Sequence, residues 1–377
     1  KYIGYTTQSK TIDLKNDSIR INFMLSEEFN ELTAVTITAG SFEASDEKKS
    51  VILSSLDMIT TPGASGDVTG ALQTLPGTTT VGESGKLFVR GGESRESRTF
   101  IDGALVHSPY SKSPPSLSVR GRYNPFMFDG NTFSTGGYSA EYGQALSSIL
   151  VLNTKELPEE DELNLSILSV GLETGGTKKW KKGAVTATFN HTNLAPYMAV
   201  VPQNQEWKEY PTFNNGALSI RQETKKNGLL KIYSNYGNSK MELSRKDINK
   251  DNQLTNYKLK NTNYYTNISW KGILNDKWIL HSAGSFTDEQ DKIDIENDKF
   301  ILQTRGAHLK NTFTYFWNEK IKVKLGGDVF YNKLSQTYSS ENESNEQKFE
   351  GFLTSVFTET NIFFSSRFVN NTLTHTV

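Results

Sequence analysis

The feature that most constrains this chain is a period of two in its second part. From residue 162 to residue 377, apolar and polar side chains alternate in segments separated by polar stretches. Val185, Ala187 and Phe189 alternate with threonines. Tyr264, Thr266, Ile268 and Trp270 share one face, and Val323, Leu325, Gly327, Val329 and Tyr331 share another, opposite Lys322 and Lys324. Successive side chains of a strand point to opposite faces, so such a segment sets one face on lipid or core and the other on water. No run approaches the roughly 18–20 apolar residues of a membrane-spanning helix. A mean hydropathy of −0.53 does not exclude a barrel, whose strands are apolar on one side only. Alternation alone leaves a soluble β-sandwich and a membrane barrel equally open.

Two further patterns favour the barrel. Short connections at Lys181–Gly183, Lys225–Gly228, Asn275–Lys277 and Asn318–Lys320 alternate with long ones at about 192–215, 246–258, 290–298 and 338–348. Outer-membrane barrels alternate short periplasmic turns and long external loops in this way. Trp180, Trp270, Trp278 and Trp317 lie beside the short turns, as in an interfacial girdle, and only Trp207 lies in a long loop. Parity then requires one more strand. For a chain entering from the periplasm, an even number of strands precedes Lys181–Gly183, so a strand is predicted over about 172–180 after a bend near Gly171. Glu173, Gly175, Gly176 and Thr177 have poor strand propensity, and topology alone supports this strand. The count reaches about ten strands by residue 360, with an eleventh from about 366.

The remaining composition narrows the classes. A net charge of −1 supplies no global basic field, so no nucleic-acid partner is expected. The absence of cysteine excludes disulfides, thiolate metal sites and a Cys nucleophile. The chain begins at Lys1 with no signal peptide, which reads as a start inside a longer protein. Residues 1–30 carry two short alternating strands, with Ile12 and Leu14 in one and Ile19, Ile21, Phe23 and Leu25 in the other. Residues 31–61 read as an extended strip and a polar linker, residues 62–158 as a compact Gly-rich domain, and residues 159–377 as the strand series.

The Gly-rich region holds five motifs in order within about 85 residues. They are Leu72-Gln73-Thr74-Leu75-Pro76-Gly77, Leu87-Phe88-Val89-Arg90-Gly91-Gly92, Phe100-Ile101-Asp102-Gly103, Phe133 to Gly143 (FSTGGYSAEYG), and Ser148 to Lys155 (SILVLNTK). In this order they resemble the plug domain of TonB-dependent receptors. The resemblance implies an all-β membrane protein: a small plug inside an antiparallel transmembrane β-barrel, of whose roughly 22 strands this chain would supply about half. The closing strands are then expected outside the chain. Residues 1–30 resemble the end of the carboxypeptidase-regulatory-like domain carried by Bacteroidota members, a non-catalytic fold.

The resemblance also implies roles. Leu32, Val35, Thr36, Ile37, Thr38 and Ala39 fall where the family's TonB box lies, an extended strip suited to adding to another protein's sheet edge. Arg90, with Gly91 and Gly92, is expected at the plug–barrel contact, where plug arginines meet wall glutamates. Arg122 and Arg120 are further candidates, while Arg95 and Arg98 read as solvated. His107 and Tyr110 follow the Ile101-Asp102-Gly103 turn on a loop expected to face substrate. Tyr197, Trp207 and Tyr210 lie in a long loop able to meet a ligand at the barrel mouth. The five scattered histidines suggest no metal site, and Asp288, Asp291, Asp294 and Asp298 read as a solvated acidic loop lacking EF-hand spacing. No cofactor is expected, and no H-E-x-x-H, G-x-S-x-G or P-loop pattern points to an enzyme.

The function implied is uptake of a siderophore, glycan, peptide or vitamin across a Gram-negative outer membrane, with the N-terminal segment periplasmic. Its partners would be the TonB–ExbB–ExbD energising complex, outer-membrane lipids with lipopolysaccharide, and a surface lipoprotein in the glycan-importing branch. A non-transporting structural subunit that keeps the plug–barrel fold remains the alternative.

Overall fold

The computed structural model describes residues 50–365 and 370–376, apart from 65, 82–83, 114–119, 203–204, 226, 248–252 and 319. The strands expected over 1–30 and the segment Leu32–Ala39 lie outside the described residues.

The first domain is built on seven short strands: β1 (Ser50–Leu53), β2 (Thr78–Val81), β3 (Ser84–Val89), β4 (Ser97–Ile101), β5 (Ala104–Val106), β6 (Asn131–Ser134) and β7 (Ser148–Leu152). Five of them form a sheet ordered β1-β6-β7-β4-β5, in which β4 and β7 run parallel and the other pairs antiparallel; β2 and β3 form a separate hairpin. The sheet begins earlier than the sequence suggests. Ser50–Leu53, inside the stretch read as linker, pairs with Asn131–Ser134. The charged run before it hides a four-residue strand. Helix α1 (Ser55–Thr60) starts from a capping box in which Ser54 and Asp57 satisfy each other's backbone N–H groups. Helix α2 (Val68–Leu72) starts where the Asp67 carboxylate accepts from the Gly70 N–H. The Asp102-Gly103 pair turns β4 into β5 with φ of +48° and +85°, the backbone of a tight hairpin turn that favours Asp-Gly.

The remaining strands form one antiparallel sheet of 11, paired in chain order. They are β8 (Glu162–Leu168), β9 (Gly171–Trp180), β10 (Gly183–Asn193), β11 (Glu206–Thr224), β12 (Gly228–Asp247), β13 (Gln253–Asn275), β14 (Trp278–Ile295), β15 (Asp298–Asn318), β16 (Ile321–Ser339), β17 (Ser344–Ser365) and β18 (Asn370–Thr376). The strand required by parity is present as β9, paired with β8 from Gly171 and with β10 at Trp180. Its glycines are tolerated because backbone on both sides supplies the ladder. Ten strands end by Ser365 and the eleventh follows, as counted from sequence.

The register divides the wall into two faces. Ile268, Leu309, Leu325, Val329 and Val356 stand exposed on the outer face, which suits lipid. Asn267, Glu289, His308, Lys310 and Asp328 alternate with them and are buried on the inner face against the first domain. Four tryptophans gather at the short-turn end. Trp180 Nε1 donates to Gln222 at 3.0 Å, Trp270 Nε1 donates to Thr224 at 2.9 Å, and Trp278 packs on Tyr315, which meets Trp317.

The opposite ends correct the expected long loops, much of whose length is strand: β12 runs to Asp247 and β13 starts at Gln253, inside 246–258, while β16 runs to Ser339 and β17 starts at Ser344, inside 338–348. The polar stretch 290–298 is not a long loop: β14 runs to Ile295 and β15 starts at Asp298. Strands β12 to β17 have 18 to 23 residues, well beyond the roughly 9–11 that cross a bilayer. Backbone ladders hold these extensions whatever their polarity, and cross-strand ion pairs such as Lys333–Glu350 at 2.8 Å clothe them.

Two apolar clusters join the domains. Met58, Leu72, Val89, Ile101, Phe128 and Phe133 pack with wall residues Tyr233 and Tyr265. On the other side Phe100, Tyr142, Ile149 and Val151 pack with wall residue Phe330. Ring pairs such as Phe128–Tyr233 at 5.4 Å contribute about 0.5–1.5 kcal/mol each beyond area burial.

Candidate functional site

The chemistry of this molecule is concentrated between the first domain and the wall, at three polar seats. The β4–β5 hairpin forms the first. Lys231 Nζ of the wall donates to the Thr154 carbonyl at 2.7 Å and lies 3.4 Å from the Asp102 carboxylate. Asn267 donates to the Ile101 carbonyl at 2.7 Å, and Ser285 to the Leu105 carbonyl at 2.7 Å. The Leu105 N–H donates to His308 Nδ1 at 2.9 Å. A backbone N–H can only donate, so Nδ1 accepts, the ring proton sits on Nε2, and Nε2 donates to Asp328 at 2.8 Å. The hairpin and wall also interlock sterically. A Cβ on Gly103 would lie 2.5 Å from the His281 ring, and a Cβ on Gly306 would overlap the His107 ring.

The second seat is the segment Ser139–Tyr142. The Ser139 hydroxyl and Ala140 N–H both donate to one Glu359 oxygen, at 2.6 and 2.8 Å. Lys310 is 1% exposed, donates to the Glu141 carbonyl at 2.6 Å, and lies 4.5 Å from the centre of the Tyr142 ring. Lys324 stands 3.2 Å from the Glu141 carboxylate. Burial pushes the Glu141 carboxyl up, but Lys324 and Lys310 outweigh it and hold the group well below the usual carboxylate range.

The third seat carries the most deeply buried arginine pair. Arg122 ion-pairs with Glu289, their side chains 6% and 3% exposed, and donates to Asn261 at 3.1 Å. Lys112 pairs with Asp291 at 3.0 Å. Asp291 is therefore not part of a solvated acidic loop; alternation along β14 turns Glu289 and Asp291 inward together.

Of the two arginines expected at the plug–barrel contact, Arg122 lies there and Arg90 does not. Arg90 is exposed, its N–H donates to the Gly77 carbonyl at 2.9 Å, and it has no ion pair among the described residues. Gly91 and Gly92 turn within the first domain, where Gly92 fits against Glu96 and Ser147. The glycine that meets the wall is Gly103. Arg95 is solvated beside Glu93, whereas Arg98 is half-buried and donates to the Gln144 carbonyl. The partners Glu289 and Glu359 were not singled out from sequence; inward parity on β14 and β17 was the signal available.

The five residues expected to face a ligand separate into two groups. His107 is packed against Gly306, and Tyr110 is in the first domain, accepting from the Leu87 N–H at 3.2 Å; neither faces an open mouth. The turn after Gly103 directs this loop at the wall. Burial pushes the Tyr110 hydroxyl up to about 12. Tyr197 is exposed on a short helix, α3 (Ala195–Val200), and Trp207 stacks with Tyr210 at 6.4 Å at the start of β11. These three stand at the long-loop end.

His107 gives the seat a pH dependence. Neither ring nitrogen has a hydrogen-bond partner among the described residues, with Asn332 beside the ring but outside bonding geometry. Burial, then His308 and Arg98, lower its pKa from 6.5 to about 4. The neutral ring is favoured in the folded state, so stability is complete above about pH 6.5 and falls as pH drops toward 4. The loss reaches about 3 kcal/mol. Thermal unfolding in detergent is expected to show a melting temperature that falls over this window, and a flatter profile for His107→Asn.

A small sheet domain seated by ion pairs against an antiparallel wall with an apolar outer face defines a plugged outer-membrane barrel fold. Residues 44–148 match the TonB-dependent Receptor Plug Domain family. Solved structures agree with that match. The alcaligin outer-membrane receptor FauA of Bordetella pertussis aligns with a TM-score of 0.52 at 9% identity, over 83% of this chain and 59% of that one. The Serratia marcescens hemophore receptor HasR aligns with a TM-score of 0.55 at 11% identity, over 85% and 61%. The Pseudomonas aeruginosa ferric enterobactin receptor PfeA aligns with a TM-score of 0.55 at 13% identity, over 84% and 56%. No curated protein sequence matches this one. Residues 44–148 are thus a TonB-dependent receptor plug domain, the strand series has the fold of these receptors' barrels, and the chain spans about six-tenths of their length.

Proposed function

We propose that the chain serves TonB-dependent uptake of a nutrient across the outer membrane of a Gram-negative bacterium, with the plug as the gate. The observation that carries this reading is the polar character of the seat. Beside the apolar contacts of Tyr233, Tyr265 and Phe330, ion pairs and hydrogen bonds in discrete clusters hold the plug, and such polar contacts can be broken and remade while the plug's own sheet stays folded. The segment Leu32–Ala39 would engage the TonB–ExbB–ExbD complex by strand addition, and the outer face of the wall would meet lipid and lipopolysaccharide. Tyr197, Trp207 and Tyr210 are the candidate ligand contacts, with a surface lipoprotein as a further partner. The three similar structures are receptors for alcaligin, a hemophore and ferric enterobactin, so iron carriers head the ligands to test, before glycans, peptides and vitamins.

Deleting residues 32–39 tests the energised mechanism. Cells are expected to keep ligand binding at the surface and lose accumulation. Undiminished accumulation would sink the coupling to TonB. Normal nutrient uptake in a strain lacking the protein, with the protein purified inside a multiprotein assembly, would favour the structural-subunit alternative.

A further inference from the structure

Strands β12, β13 and β14 lie inside the sheet, each paired on both sides. Their register stacks three rungs of directly opposed residues on the outer face. Tyr236, Tyr264 and Asp288 form the first rung, Asn238, Thr262 and Gln290 the second, and Lys240, Lys260 and Lys292 the third. They lie on the face opposite Asn235, Asn263 and Glu289, which are buried toward the plug.

The third rung sets like charges side by side. Directly opposed residues of antiparallel neighbours have Cβ atoms about 4.5–5.5 Å apart, and like charges so placed repel. Lys260 stands between two other lysines. Lys260 and Lys292 are exposed and have no ion pair among the described residues, while Lys240 pairs with Glu209. The other carboxylates of this face are engaged nearby: Glu242 pairs with Lys258, which also stands opposite Asp294, and Asp288 pairs with Arg305. An anion placed on the row would turn this repulsion into charge-assisted contacts.

Height identifies the carrier of that anion. Lys260 lies ten residues from Trp270 along β13. At about 3.3 Å per residue and a tilt of about 40°, this is a rise of about 25 Å, the height of the apolar band of a barrel. Trp270 belongs to the girdle at the short turns, so the lysine row stands at the opposite membrane surface, at the level of lipid headgroups. Beneath it, the amides and hydroxyl of the second rung suit sugar hydroxyls. Lower still, exposed Tyr236, Tyr264, Ile268 and Phe286 suit acyl chains. We propose that the three rungs bind one phosphorylated glycolipid of the outer leaflet, with its phosphate on Lys240, Lys260 and Lys292 and its sugar on Asn238, Thr262 and Gln290. The choice of leaflet rests on the outer-membrane reading, with the long-loop end outward; binding by the purified protein does not.

The test is lipid titration of the purified full-length protein in detergent, read by native mass spectrometry. The probes are lipopolysaccharide with its sugar phosphates, the same lipid dephosphorylated, and phosphatidylglycerol. The phosphorylated glycolipid is expected to bind about tenfold tighter or more than either of the others. The triple variant Lys240→Gln, Lys260→Gln, Lys292→Gln is expected to lose that preference. Lys333→Gln with Lys348→Gln, on the neighbouring strands β16 and β17, is expected to keep it. Equal affinity of wild type and triple variant, or of the phosphorylated and dephosphorylated lipids, overturns the proposal. Equally tight phosphatidylglycerol, or displacement by millimolar inorganic phosphate alone, overturns it as well, since the row would then hold any anion. Lys260→Gln, at the centre of the row, repeats the measurement with a several-fold loss expected if the triple variant does not assemble. Lipid binding needs no transport, so absence of uptake would refute the functional reading and leave this result standing. Membrane fractionation tests the outer-membrane placement by itself.

Discussion

Replacing Arg122 with leucine is expected to unseat the plug and make the outer membrane leaky. Glu289 is 3% exposed, and its remaining cation, Lys112, stands 3.7 Å away and is closer to Asp291. Removing one partner of a buried pair strands the other charge, at a cost of about 3–5 kcal/mol. That is a large share of the stability of an ordinary domain. The expected readouts are a lower melting temperature in detergent and entry of a bulky antibiotic that the wild-type barrel excludes. The paired change Arg122→Leu with Glu289→Leu removes both charges and is expected to recover most of the loss, because two apolar side chains replace the pair at little net cost. A single variant as stable and as tight as wild type would show that this ion pair does not hold the plug.

Gly103→Val is the second large effect, and it has two separable causes. The backbone there has φ +85°, which a β-branched residue adopts at a cost of about 1–3 kcal/mol. The added side chain also meets the His281 ring, since a Cβ would lie 2.5 Å from it. The hairpin would have to lift off the wall, breaking the contacts of Asn267, Ser285 and His308. Combining Gly103→Val with His281→Ala removes the clash and keeps the backbone strain. The double variant is therefore expected to regain part of the lost stability, measured as the melting temperature, and not all of it. Full recovery would mean that the turn carries no strain.

The fold was legible where chemistry repeats along the chain. Alternation identified the wall, and strand parity found β9 against the propensity of its own glycines. Alternation did not reveal how far the strands run. Polar residues on both faces beyond the bilayer look like loop in sequence, yet the backbone ladder continues through Ile295 and Asp298. The seat was half legible. Arg122 was named and Arg90 misplaced, because two arginines beside glycines look alike until the path of the chain is known. Glu289, Glu359 and His308 lie on wall strands 167 to 220 residues from the plug residues Arg122, Ser139 and Leu105 that they meet, a pairing that no local pattern encodes. His107 and Tyr110 were expected to face substrate because the family's plug often carries such a loop after this turn, but the Asp102-Gly103 turn sets His107 against Gly306 of the wall and leaves Tyr110 within the first domain.

The most direct test of a gated plug is accumulation of a radiolabelled iron carrier by whole cells, measured with the inner-membrane proton gradient intact and then collapsed. A plug held by its polar seat and moved only by applied energy is expected to allow surface binding in both states and accumulation only in the energised one. Equal accumulation in both states would contradict a closed, energy-gated plug.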